Sequence, residues 1–410
     1  MANELRATIG ERTGGASLEL PELDALPSVL PPEGVVVARL SAIVARAAER
    51  RLDVADVRGA ADAAVVAALA REPSAPRLVV LADDLDAARR LAGDVSFLLG
   101  RAPGGDEQDA SVDVLVLATP ESSPYADLNP DRRGAMARMA TLAHLAVDRP
   151  WRVLVVPASA LVRKLVPPDA VRAHTHRVVH EAELDRDRLV RDLTDAGYIR
   201  VPVVEDPGSF AVRGALVDLW PPGAVEPSRV ELYGDLVVSI RPFDPTTQTT
   251  KAVTRASPED EPSLPELWLP PARDAILAKD LVERARRRVA NLADMIDWPT
   301  TKTRVLIDDV AAGRAFFGAD GFLPAYYEEL APLSAYLPPD ARFVLASPPE
   351  ITRAVRDELE KVTEDAAQKQ SEPSFIMAAH YRTEEEAAAE LSARSVIALH
   401  ATAVAGGAGE

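Results

Sequence analysis

Hydrophobic and polar positions run along this chain in blocks whose period changes twice. From Val37 to Arg50, apolar residues recur at helical spacing, with Leu40, Ile43, Val44 and Ala47 on one face. Short unbroken apolar runs then alternate with amphipathic stretches. Arg77–Ala82, Val112–Ala118 and Val153–Val156 have the length of buried strands. Between them, Ala88, Leu91, Val95 and Leu98 repeat with a helical period, as do Met136, Met139, Leu142 and Leu145 within Arg133–Val147. Asp83 and Asp84 can cap the first of these helices, and Ser159 a short helix reaching Leu165. Strand and helix in alternation, with short connections, predict a parallel sheet covered by helices.

The rhythm shifts near His174. Arg177–Val179 reads as a strand, and Asp185–Ala196 as an amphipathic helix with Leu189 and Leu193 inward and Gly197 as its stop. Short strands follow at Arg200–Glu205, Ser209–Arg213, Val217–Trp220, Arg229–Tyr233 and Leu236–Phe243. Turn signals such as Asp206-Pro207-Gly208, Pro221-Pro222-Gly223 and Gly234-Asp235 separate them, which predicts antiparallel hairpins. Residues 251–272 are rich in Pro, Glu and Ser and read as a linker. Beyond them come a long helix over Ala275–Met295, strands at Arg304–Ile307, Arg342–Ala346, Ser374–Ala379 and Ser395–Leu399, and helices over Pro349–Lys361 and Glu384–Ala393. The expected division is a flexible leader over 1–30, an α/β domain over 31–173, a small α+β domain over 174–261, a second α/β part over 262–401, and a flexible tail or truncation over 402–410.

Composition narrows the possibilities. The 410 residues suit two to four domains at about 100–200 residues each. With no cysteine, a disulfide scaffold, a thiol nucleophile and thiolate metal sites are excluded. A net charge of −18 argues against non-specific coating of nucleic acid, which needs a basic surface. No apolar run reaches the roughly 18–20 residues that span a bilayer. Met1–Gly15 carries Glu4, Arg6, Glu11 and Arg12 and no apolar core, so the expected location is cytoplasmic, with no membrane partner.

Two weaker constellations have bland readings. His174-Thr175-His176, with His180 and Glu181, could hold a metal, or could be surface histidines at a domain entry; no metal site is expected. Arg284, Arg286, Arg287 and Arg288 form a basic run that reads as a solvated helix face rather than a nucleic-acid contact. No nucleophile elbow is visible, and no catalytic residue is expected.

The densest signal runs from Gly197-Tyr198 through Pro207-Gly208-Ser209-Phe210-Ala211-Val212-Arg213-Gly214 and Asp218-Leu219-Trp220-Pro221-Pro222. It continues through Pro227-Ser228-Arg229 and Gly234-Asp235 to Ile240-Arg241-Pro242-Phe243-Asp244-Pro245-Thr246-Thr247-Gln248. Gly208, Gly214, Gly223 and Gly234 stand where reversals call for positive φ. Each arginine taken alone reads as a solvated strand residue. Taken together, the stretch resembles the UvrB interaction domain, which is shared by the excision-repair subunit UvrB and by the transcription-repair coupling factor (Mfd) family. The resemblance extends back through Pro124-Tyr125, Arg138–Leu142 and Val153–Pro157.

UvrB carries a P-loop whose lysine reaches the phosphates. The corresponding stretch here is Val54–Ala63, where only Gly59 survives. Asp62 replaces the lysine, and Ala63 the Mg²⁺-binding hydroxyl. After Pro120 only Tyr125 is present, whereas UvrB has a tyrosine-rich DNA-gripping hairpin; base stacking needs aromatic faces. Both losses resemble the N-terminal UvrB-homology module of the coupling factors. That resemblance implies degenerate RecA/helicase-like parallel α/β lobes flanking the small domain, and a non-catalytic module without cofactor. ATP and Mg²⁺ belong to the translocase motor of the family, whose G-K-[ST] and D-E-x-H boxes are absent from these residues. It also implies docking of the repair protein UvrA through Arg213, Arg229 and Tyr233, while RNA polymerase and DNA are engaged through C-terminal domains missing here. Two alternatives stand beside it: a UvrB-like subunit that binds ATP and damaged DNA, and a solitary interaction scaffold.

Overall fold

A computed structural model describes residues 33–100, 114–251 and 263–401. The expected leader at 1–30 and tail at 402–410 lie outside the described residues. The chain divides into two compact units, residues 1–42 and residues 43–410. Helix α1, Glu33–Arg46, starts and stops four residues before the expected helix.

In the second unit, β1 (Arg51–Val54) leads to α2 (Ala61–Arg71), β2 (Leu78–Ala82), α3 (Leu85–Leu98), β3 (Val114–Val116), α4 (Arg132–Ala146) and β4 (Val153–Pro157). Every residue of β2 and β4 is buried, as an apolar run inside a doubly covered parallel sheet requires. Asp84 caps α3 by accepting from the Ala87 amide at 2.7 Å. Asp131 caps α4, accepting from the amides of Arg133 and Gly134 at 3.0 Å each. Ser159 does not cap. The turn after β4 is a single 3₁₀ turn, Ala158–Leu161, and the Ser159 hydroxyl instead lies 3.1 Å from that of Thr119.

Next come α5 (Pro168–Ala173), β5 (His176–Val179), α6 (Arg186–Asp195), β6 (Ile199–Arg200), β7 (Ser209–Arg213), β8 (Leu216–Trp220), β9 (Ser228–Tyr233), β10 (Leu236–Pro242) and β11 (Glu266–Leu269). The expected strand over Arg200–Glu205 shrinks to the two residues of β6, which pair parallel with β7, not in a hairpin. The stretch read as a linker contains β11, which pairs antiparallel with β5. The remaining elements are α7 (Lys279–Asp294), α8 (Thr300–Ala311), α9 (Leu323–Tyr326), β12 (Arg342–Ala346), α10 (Pro348–Gln368), α11 (Met377–His380), α12 (Glu384–Ala393) and β13 (Val396–Leu399). Two expected strands do not form, one being wholly helical and the other irregular as far as Ile376. Arg304–Ile307 lies inside α8, and Ser374–Ala379 runs into α11.

Six parallel strands order as β1-β13-β12-β2-β4-β3, and five others form a smaller sheet, β10-β9-β8-β7-β6. The α/β class with a separate small sheet is therefore as the sequence implies. The strands before and after the small sheet join one parallel sheet, through pairings such as Arg342 with Leu78. The cores are separate. The large one gathers Val79, Leu81, Met139, Leu142, Leu154, Val289 and Phe343, and the small one Phe210, Val217, Leu219, Val230, Leu232 and Ile240. Helix α4 belongs to both, because Met136 points into the small core and Met139 and Leu142 into the large one. Among the described residues no helix is long and apolar enough to cross a membrane.

One buried group makes this fold acid-sensitive. His380 sits edge-on to Tyr125 at 5.5 Å, and its Nε2 has no partner among the described residues. Burial, helped by the charge of Arg163, pushes its pKa down to about 3. The native ring stays neutral where the unfolded ring, near its ordinary value of about 6.5, takes a proton. Its contribution is thus complete above about pH 6.5 and is lost as pH falls toward 3, by up to about 1.4 kcal/mol per pH unit. Urea unfolding at about pH 7 and about pH 5 should show a smaller loss for His380→Gln than for wild type.

Candidate functional site on the small sheet

Strand alternation sorts the small sheet into two faces. Phe210 and Val212 of β7, Val217 and Leu219 of β8, Val230 and Leu232 of β9, and Val237 and Ile240 of β10 pack into or against its core. The opposite face carries Ala211 and Arg213, Asp218 and Trp220, then Arg229, Glu231 and Tyr233, and Ser239 and Arg241. Register sets Asp218 opposite Arg229 on one side and Ala211 on the other, and Arg241 opposite Arg229.

Asp218 is the centre of this face, with 1% of its side chain exposed. Its Oδ1 accepts from Arg229 Nε at 2.7 Å, and its Oδ2 accepts from Arg229 Nη2 at 3.1 Å and from Arg213 Nη2. Arg229 is thereby used up inside the domain. Besides the bidentate grip on Asp218, its Nη1 donates to Gln248 O at 3.3 Å and to Thr250 Oγ1 at 3.2 Å. Its guanidinium lies 4.9 Å from the centre of the Phe243 ring. The hydrogen bond to Asp218 raises its pKa further. Arg213 is held through one nitrogen only, with Gln248 Oε1 3.4 Å from the same Nη2. Its side chain is 44% exposed against 16% for Arg229. Tyr233, at the end of β9 beside the Gly234 turn, is 81% exposed. Glu231 and Arg241 pair at 3.2 Å across β9 and β10 on the same face.

The three residues named from the sequence thus share one face but differ in kind. Arg213 and Tyr233 present surface, whereas Arg229 braces Asp218 and the Phe243–Thr250 loop. Sequence reasoning missed Asp218 itself. The signal was a carboxylate in the middle of the apolar strand Leu216-Val-Asp-Leu-Trp220, a place that requires a partner.

The other candidates fall elsewhere. Gly59 and Asp56 take positive φ between β1 and α2, so the strand–loop–helix outline of a phosphate loop is present. Asp62 stands in the first turn of α2, where its Oδ1 accepts from the Ala63 amide at 2.6 Å, and burial raises its pKa. Ala63 is buried. Tyr125 is buried as well, with its hydroxyl donating to Phe375 O at 2.7 Å. His174 follows α5, His176 opens β5 with Nδ1 3.9 Å from Asp192, and His180 Nε2 is 3.1 Å from Val238 O. On α7, Arg284 and Arg288 donate to the carbonyls of Tyr326 and Tyr327 at the end of α9, and Arg286 pairs with Asp308 at 3.3 Å. Most of that basic run therefore ties α7 to its neighbours.

Residues 177–256 match the UvrB interaction domain family. A transcription-repair-coupling factor of Myxococcus xanthus is 37% identical over 282 residues, covering 69% of this chain and 22% of that protein. One of Escherichia coli is 29% identical over 300 residues, covering 73% of this chain and 24% of that protein. One of Haemophilus influenzae is 28% identical over 235 residues, covering 57% and 19%. The chain is thus homologous to a part of transcription-repair-coupling factors, spanning under a quarter of their length, and the part includes a UvrB interaction domain.

Proposed function

We propose that this chain is a non-catalytic docking module. In this reading the outer face of the small sheet binds the excision-repair protein UvrA, so that repair is recruited to stalled RNA polymerase. The observation that carries the reading is that Arg213 and Tyr233 present surface on one sheet face inside the matched domain, with Arg229 bracing the face from within. A half-exposed guanidinium and an exposed tyrosine on one sheet face suit a carboxylate-bearing partner surface, since Arg and Tyr are typical interface anchors. RNA polymerase, DNA, and the ATP and Mg²⁺ of a translocase motor would be engaged by parts of a coupling factor that this chain does not span, and the module would work in the cytoplasm. Gel filtration of the full chain mixed with UvrA from the same organism tests the proposal. Co-elution is expected, and separate elution at micromolar concentrations would refute it.

The rival of a UvrB-like ATPase makes a different prediction. A carboxylate at Asp62 repels a triphosphate and already occupies a first-turn amide of α2, and Ala63 offers no hydroxyl for Mg²⁺. Equilibrium dialysis with labelled ATP at about 100 μM protein is expected to show no saturable, Mg²⁺-dependent binding. Such binding would favour the ATPase.

A further inference from the structure

A crevice of about 810 Å³ opens between α4, the segment following β11 and the turns after α6 and α8. Its lining carries eight Arg and Lys side chains against five Asp and Glu, in a chain whose net charge is −18. Several of these cations are matched, as Arg138 is by Asp274 and Arg314 by Asp309. Arg132 and Arg273 lack such a contact, although the charge of Asp206 reaches the first and that of Asp274 the second. Among the described residues neither forms an ion pair, and each donates only to backbone carbonyls. Arg132 reaches Gly197 O at 3.4 Å and Gly208 O at 2.9 Å, and Arg273 reaches Gly313 O at 2.9 Å. Most donors of both guanidinium groups are left without a protein partner.

The two side chains are neighbours, because both lie on Gly197. A methyl group there would stand 3.0 Å from Arg273 Cβ and closer still to its Cγ and Cδ. One on Gly208 would stand 2.8 Å from Arg132 Nη2, and one on Gly313 would collide with the Arg273 guanidinium. All three glycines have positive φ, at 92°, 71° and 56°. The backbone at these glycines thus leaves room for both arginine side chains. Burial and the charge of Arg273 lower the pKa of Arg132, and burial lowers that of Arg273. Asp131, which also lines the crevice, is engaged by the first amides of α4, and Asp274 by Arg138. The carboxyl of Asp320, on the Arg138 side, has its pKa raised by burial.

We propose that this crevice binds a phosphate-bearing small molecule, with the phosphate held between Arg132 and Arg273. A guanidinium fork matches the oxygens of a phosphate bidentately, and an anion between the two groups replaces repulsion by attraction. Arg132 is exposed and Arg273 half-buried, so the ligand has access to both. The remaining volume accommodates the rest of a phosphate monoester. This site is independent of the UvrA reading, and the two stand or fall separately.

The test is calorimetric titration of the full chain, in a phosphate-free buffer of low ionic strength, with inorganic phosphate and separately with AMP. Saturable binding of phosphate is expected. Arg132→Gln, on an exposed side chain, should weaken it about tenfold or more, while Arg353→Gln on the exposed face of α10 leaves it unchanged. Tighter binding of AMP than of phosphate identifies a monoester as the ligand, and equal or weaker binding identifies free phosphate. The absence of saturable binding, or Arg132→Gln binding like wild type with an unchanged melting temperature, overturns the proposal.

Discussion

Asp218→Ala is expected to destabilise the protein by about 3–5 kcal/mol, the cost of breaking a buried ion pair from one side. Asp218 is sealed beneath the outer face of the small sheet and accepts three N–H donors from two arginines. Its removal leaves Arg229, pinned over Phe243, with an uncompensated charge that it cannot shed, since a guanidinium stays protonated. Asp218→Asn keeps the shape and one acceptor and should recover part of the loss. Replacing Asp218 and Arg229 together by apolar residues should cost less than Asp218→Ala alone, because no orphaned charge remains. Urea unfolding of the three variants measures this order. A loss below about 1 kcal/mol for Asp218→Ala would mean that the cluster does not hold the sheet.

Arg213→Ala is expected to weaken UvrA binding by about 2–5 kcal/mol, roughly 30- to 5,000-fold, while the fold stays intact. The separation follows from geometry. Arg229 keeps its bidentate hold on Asp218 when Arg213 is gone, so no buried carboxylate is stranded. Arg213→Lys should also bind more weakly, because an ammonium lacks the planar fork. Arg229→Ala differs, since melting temperature and binding fall together and its binding defect does not by itself report a contact. The sequence alone treats the two arginines as equivalent contact residues. Their side-chain exposures of 44% and 16% separate them. An unchanged melting temperature for Arg229→Ala would contradict the bracing role.

What could be read from the sequence was local. The hairpins β7–β10 were legible from alternation and from turns such as Gly234-Asp235, and the apolar runs of β2 and β4 from their length. Features that depend on distant partners were not. Glu266–Leu269 sits among prolines and acids, and is a strand only because His176–Val179 pairs with it. Arg304–Ile307 is a short apolar run with β-branched Val305 and Ile307, yet it lies inside α8, where Leu306 and Ile307 pack against the large core. The joining of β12 to β2 across the whole small domain leaves no local trace. The site followed the same rule. Arg213, Arg229 and Tyr233 were legible as motif positions. The carboxylate that organises two of them was passed over because its partners lie on other strands.

If the outer face of the small sheet is the UvrA surface, Tyr233→Ala removes one of its anchors without touching the core. The ring is 81% exposed at a hairpin end, so its removal should leave the melting temperature unchanged. The dissociation constant for UvrA, measured by titration against the full chain, is expected to rise by about 30-fold or more, as for an aromatic anchor worth about 2 kcal/mol. An affinity equal to that of wild type in the folded variant would mean that UvrA does not dock on this face.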